Sequence, residues 1–138
     1  MKDRLPRPPR AVRPKAAWRR ETGGAAFRDG HAAEWIAAFW LMLKGYQVLG
    51  FRLKSRAGEI DLLARRGRIL AVVEVKRRAT QQTAALALKP AQFDRLRAAG
   101  EAVRRNRPAL QRLELRIDMV TLAPGRLPRH LRGVERGA

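Results

Sequence analysis

The chain has no cysteine, only two histidines, and 12 acidic residues against 31 Lys and Arg. Absence of Cys excludes disulfides, thiol catalysis and thiolate zinc sites, and it fits a reducing cytoplasm. Two His and no Cys give a His general base or a Cys-His nucleophile little support. The longest apolar run, residues 35–43, falls far short of the roughly 20 residues that span a bilayer, so no membrane span is expected. Gly23-Gly24 lacks the Lys-Ser/Thr continuation of a phosphate-binding loop. No internal repeat is present.

What is there is positive charge. The 138 residues carry a formal +19, with 46% hydrophobic residues. That length and content suit one domain with one core, and the charge favours a polyanionic partner. The first twenty residues hold eight Lys and Arg, one acid (Asp3) and four of the eight prolines, for a net +7. Residues 1–21 therefore read as a basic, disordered arm, and 22–138 as the α/β domain, still strongly cationic. No apolar segment follows the early basic residues, so the arm is not read as a secretory signal.

Apolar spacing at Ala33, Ile36, Ala37, Trp40 and Leu41 predicts a helix from about Ala25 to Lys44, stopped by Gly45. Extended segments are expected over 46–54, 58–64 and 69–76, the last two forming an antiparallel hairpin around Gly67. Pro90 opens a second helix with the stripe Phe93, Leu96, Ala99 and Val103, and a last strand fits 113–122. The order α-β-β-β-α-β implies an α/β sandwich, with a mixed sheet of four or slightly more strands and a helix on each face. Trp35, Phe39 and Trp40 read as core or interface.

The acids are scarce, yet three fall in the two hairpin strands. Side-chain alternation puts Glu59 and Asp61 on one face of the first strand, with Ile60 and Leu62 on the other. Glu74 and Lys76 share a face of the second. Carboxylates in an apolar sheet need a partner, a hydrogen bond or a metal. Two hard carboxylates with water in the remaining positions suit Mg²⁺ or Mn²⁺, which would activate a water towards a phosphodiester. Glu34, on the helix face of Ala37, Ala38 and Leu41, is placed to join them.

Gly58-Glu59-Ile60-Asp61 followed by Glu74-Val75-Lys76 resembles the divided metal motif of the PD-(D/E)xK nuclease superfamily. The closer resemblance is to the YraN family of small bacterial proteins. It rests on Gly30 four residues before Glu34, Gly45-Tyr46, the two strand motifs, Arg116-Ile117-Asp118-Met119-Val120, and the segment 128–133. The resemblance implies a restriction-endonuclease-like fold. It makes Asp61 and Glu74 metal ligands, with the Val75 carbonyl and Glu34 assisting, and Lys76 the catalytic lysine. Lys89 and Gln92 match polar positions at the start of the second helix.

Each residue also has a plainer reading. Glu74 and Lys76 can be a strand-face ion pair. Glu59 can be a solvated carboxylate, Asp118 a partner of Arg116, and His31 and His130 solvated surface residues. Arg65 and Arg66 can be a solvated hairpin tip, whereas Arg77 and Arg78, next to Lys76, are better placed for phosphates. The favoured function is a metal-dependent endonuclease on nucleic acid, DNA before RNA, on branched or single-stranded substrates, with a homodimer as one candidate assembly. The alternative is a non-catalytic nucleic-acid-binding scaffold on the same fold. Membrane-surface binding by the arm is a lesser third.

Overall fold

The computed structural model describes residues 31–77 and 87–138. The basic arm, the first part of the expected helix, Gly23-Gly24 and Arg78 lie outside the described residues.

The first helix, α1 (His31–Leu43), turns Ala33, Ala37, Ala38 and Leu41 inward. Ile36, expected on that stripe, is exposed, and so is Phe39. The small residues, not the large ones, let α1 lie close on the sheet. Gly45, at φ 92, ends it. The Tyr46 N–H donates to the Leu41 carbonyl at 3.0 Å and the Gly45 N–H to that of Met42 at 3.0 Å, a Schellman closure only a left-handed residue permits cheaply.

Three strands follow: β1 (Gln47–Lys54), β2 (Glu59–Arg66) and β3 (Ile69–Arg77). Gly67, at φ 60, forms with Arg68 the two-residue turn of the β2–β3 hairpin. A short β4 (Ala87–Leu88) precedes the second helix, α2 (Pro90–Asn106). Then come β5 (Glu114–Leu122), β6 (Arg129–Leu131) and β7 (Glu135–Arg136). The main sheet runs β1-β2-β3-β5-β6, and only β3 and β5 are parallel neighbours within it. It is the expected mixed sheet, one strand wider than four. β6 and β7 were not legible as strands, being three and two residues long. β7 pairs with β4 away from the main sheet.

Residues 33–138 form one compact unit. A helix covers each face. Under α1 lie Leu62, Ala64, Ala71, Val73 and Val120; under α2, Ile60, Leu63, Leu70, Val72, Ile117 and Met119. Ile60 and Leu62 were expected on one face, but they pack on opposite ones. Strict alternation fails there because β2 and β3 part company. Their pairing runs from Arg66↔Ile69 to Leu62↔Val73 and stops, one step short of Asp61.

A candidate metal-dependent active site

In a continuing ladder the Val75 N–H would meet the Ile60 carbonyl. It donates instead to Asp61 Oδ2, at 2.9 Å. The carboxylate thus sits in the fork between two separating strands, taking over a backbone hydrogen bond. Asp61 and Glu74 line one open cleft of about 300 Å³ with Glu59, Gln92, Arg95 and Leu96. The hairpin therefore brings Glu59 and Asp61 of β2 together with Glu74 of β3, as alternation required, although Ile60 does not follow it.

Glu74 is tethered at one oxygen. Gln92 Nε2 donates to Oε2 at 2.6 Å, and Lys76 Nζ lies 3.0 Å from the same atom. Pro90 fixes the first turn of α2, and that turn carries Gln92 over the cleft. Lys89, one step earlier, is exposed at the N-cap and is not among the cleft residues.

Glu34 stands in the first turn of α1, its side chain only 14% exposed, with Arg52 Nη1 at 3.5 Å. Arg52 Nε is 3.8 Å from Glu59. Arg52 is the one non-glycine residue with positive φ among the described residues, at 50°. Such a backbone costs about 1 kcal/mol or more, so the ion pairs and packing over-determine it. The sequence reading missed Arg52, since a strained φ leaves no composition signal. Arg95 of α2 lines the cleft as well, and an Arg among the many on that helix carries no mark in the sequence.

Burial pushes the Asp61 carboxyl up to about 7, against the opposing Val75 hydrogen bond, and Glu74, Glu34 and Glu59 add to the rise. Three carboxylates thus act on Asp61, and among the described residues Lys76 pairs with Glu74, and Arg52 with Glu34 and Glu59. Among the described residues no three His, Asp or Glu side chains converge as a complete metal cage. The donors nevertheless suit a hard divalent ion, because Mg²⁺ is commonly held by one or two carboxylates with waters completing the shell. The contact seen at Val75 is through its N–H.

The remaining candidates fall elsewhere. Arg77 is exposed at the end of β3. Arg65 Nε donates to the Gly67 carbonyl at 3.2 Å, bracing the hairpin turn, and Arg66 lies over the Tyr46 ring, 5.9 Å from its centroid. Trp35 packs against Phe51, 4.7 Å between ring centres. His130 corrects the sequence reading. It is not solvated; its side chain is 1% exposed and its Nε2 is 2.8 Å from Asp118 Oδ2. Asp118 does pair with Arg116, through Nε and Nη2, both at 2.8 Å. Burial pushes the Asp118 carboxyl up, but hydrogen bonds from His130, Arg116 and the Gly133 N–H outweigh it and hold it below the ordinary value.

The profile described as "Uncharacterised protein family UPF0102" matches residues 33–122. A UPF0102 protein of Caulobacter vibrioides is 53% identical over 116 residues, covering 84% of this chain and 93% of its own. The chain belongs to the UPF0102 family. This is the YraN family that its motifs resemble. Other UPF0102 proteins are similarly near: one of Parvibaculum lavamentivorans is 52% identical, covering 80% of this chain and 83% of its own, and one of Brucella canis 45%, covering 81% and 89%. The span matched to UPF0102 includes Glu34, Arg52, Asp61, Glu74, Lys76, Gln92 and Asp118, and stops before His130. Among the described residues no helix is long and apolar enough to cross a membrane.

Proposed function

We propose that the protein is a metal-dependent endonuclease that hydrolyses phosphodiesters in DNA, with branched or single-stranded DNA as the favoured substrate. One observation carries the reading: Asp61 sits in the β2–β3 fork on the Val75 N–H, sharing a cleft with Glu74, on which the Lys76 ammonium rests at 3.0 Å. Asp61 and Glu74 would hold Mg²⁺ or Mn²⁺, with Glu34 able to reach in from α1 once released from Arg52. The bound ion would supply Lewis acidity and lower the pKa of its water. Gln92 fixes the rotamer of Glu74. Lys76 is placed to orient the attacking water and to balance charge growing on the phosphate oxygens. Arg95 and Arg77 can draw the phosphate backbone towards the cleft.

The test is a cleavage panel of linear, single-stranded, flap and four-way-junction DNA plus structured RNA, with Mg²⁺ or Mn²⁺ titrated. Wild type is expected to cut at least one DNA and Asp61→Asn to cut none while still binding. Full cleavage by Asp61→Asn would end the assignment.

The ion pair of Glu74 with Lys76, which needs no metal to be satisfied, favours a second reading, nucleic-acid binding without turnover. Its signature is salt-sensitive binding with no product under either metal.

A further inference from the structure

A second polar constellation stands on the face that α1 covers, apart from the cleft. It is built around the turn from α1 into β1. Lys44 Nζ lies 2.6 Å from His130 Nδ1. An ammonium can only donate, so Nδ1 accepts and the ring proton sits on Nε2, facing Asp118. Arg116 Nη2, besides binding Asp118, donates to the Tyr46 hydroxyl at 2.6 Å. The Gly133 N–H reaches Asp118 Oδ1 at 3.0 Å. Each Asp118 oxygen thus accepts two hydrogen bonds. The carboxylate is saturated and fully buried.

Around this scaffold stand cations that Asp118 has no lone pair left to meet. Arg66 packs against Gly45, its Nε 3.4 Å from where a side chain there would begin, and over the Tyr46 ring. Arg132, exposed, comes two residues after His130. Burial and then Arg132 depress the Lys44 pKa; Asp118 pulls it back, and Arg66 and Arg116 add to the fall. Among the described residues no acid stands within ion-pair distance of Lys44, Arg66 or Arg132. Crowded like charges whose one nearby carboxylate is already engaged by Arg116 and His130 are unfavourable, yet buried hydrogen bonds hold this arrangement in place. An incoming anion relieves the repulsion.

We propose that Lys44, Arg66 and Arg132 form an anion site that takes a backbone phosphate of a bound nucleic acid. Lys44 is the fixed point of the site, and the two arginines supply planar donors to phosphate oxygens. Arg66 follows Asp61 by five residues on β2, roughly 17 Å of strand. The two residues face opposite sides of the sheet, so a straight duplex lying in the cleft need not touch this site. A bent or branched nucleic acid with a second arm would. The inference rests on a nucleic-acid partner and not on cleavage.

The test is binding of fluorescent DNA, linear duplex and four-way junction, to the full chain in EDTA across a salt series. The variants are Arg66→Gln with Arg132→Gln, and a charge-matched control of Arg107→Gln with Arg112→Gln. For the junction, the Arg66/Arg132 variant is expected to bind about tenfold more weakly at the lowest salt concentrations, with a slope of log K on log salt shallower by about 0.9. The control is expected to stay within about twofold of wild type. No loss in the Arg66/Arg132 variant, or equal loss in the control, overturns the proposal. So does loss only of flotation with phosphatidylserine vesicles, which would assign the site to a lipid headgroup. Cleavage failing everywhere while these binding differences stand would overturn the nuclease reading alone.

Discussion

Asp61 and Asp118 are both acids in the sheet, yet their environments drive them in opposite directions. Asp61, raised to about 7 by burial and three carboxylates, favours its proton in the folded state. The folded protein therefore holds a proton that the unfolded chain has lost between pH 4 and 7, so metal-free stability falls as pH rises through that window. The slope is at most about 1.4 kcal/mol per pH unit. Urea unfolding at stepped pH in EDTA should show this fall, and Asp61→Asn should flatten it. Asp118 contributes the other way: its depressed pKa gives stability present above pH 4 and lost on acidification. Asp118→Ala leaves Arg116, His130 and the Gly133 N–H without their acceptor and should cost about 3–5 kcal/mol. A loss under about 1 kcal/mol in urea titration would contradict that. At Arg52 two substitutions separate strain from charge. Arg52→Ala loses the ion pairs and keeps the left-handed backbone; Arg52→Gly loses the same pairs but relaxes it, and should be the more stable by about 1 kcal/mol.

At the scale of elements, much of the architecture was legible. Alternation marked β1 and β5, a Val-rich run marked β3, and Pro90 and Gly45 marked helix boundaries by known stereochemistry. The site acids were legible too, because a carboxylate in an apolar strand is conspicuous. Three things were not. The β2–β3 divergence arises from a side chain competing with a ladder and leaves no periodic trace. β6 and β7 are too short for any pattern, and β6 carries the His130 that looked like tail. The closeness of α2 to the sheet turns on Gly100, a single small residue. A Cβ there would lie 2.7 Å from Val72 Cγ2 and 2.9 Å from Leu115 Cδ1. Gly100→Ala gains about 1 kcal/mol of helix propensity, but it overpacks a stiff valine in the central strand. Net destabilisation of about 1–3 kcal/mol is expected in thermal or urea unfolding. A more stable variant would show that α2 can retreat freely.

Across the whole molecule the charge sorts itself. Of a formal +19, α1 holds no Lys or Arg at all. Its outward side instead shows Ile36, Phe39, Met42 and Leu43, which are exposed. Glu34, Glu59, Asp61 and Glu74 gather at the fork, and cations with no ion pair among the described residues gather at the far end of α1. A cation entering the fork would bind the folded chain and not the unfolded one. Mn²⁺ at a hundredfold over its Kd should thus add about 2.7 kcal/mol of stability. Melting curves with and without Mn²⁺ check this, and Asp61→Asn should respond much less. An equal response in that variant would place the ion elsewhere.

The fork also supplies a probe. Because the Val75 amide proton rests on a carboxylate, its exchange and chemical shift follow that group and not the neighbouring ladder. In a nitrogen–proton NMR spectrum the Val75 cross-peak should move through one titration step near pH 7, while the amides of Val72 and Val73, within the paired stretch, stay still. One resonance would then read the charge of the site directly, with no substrate needed.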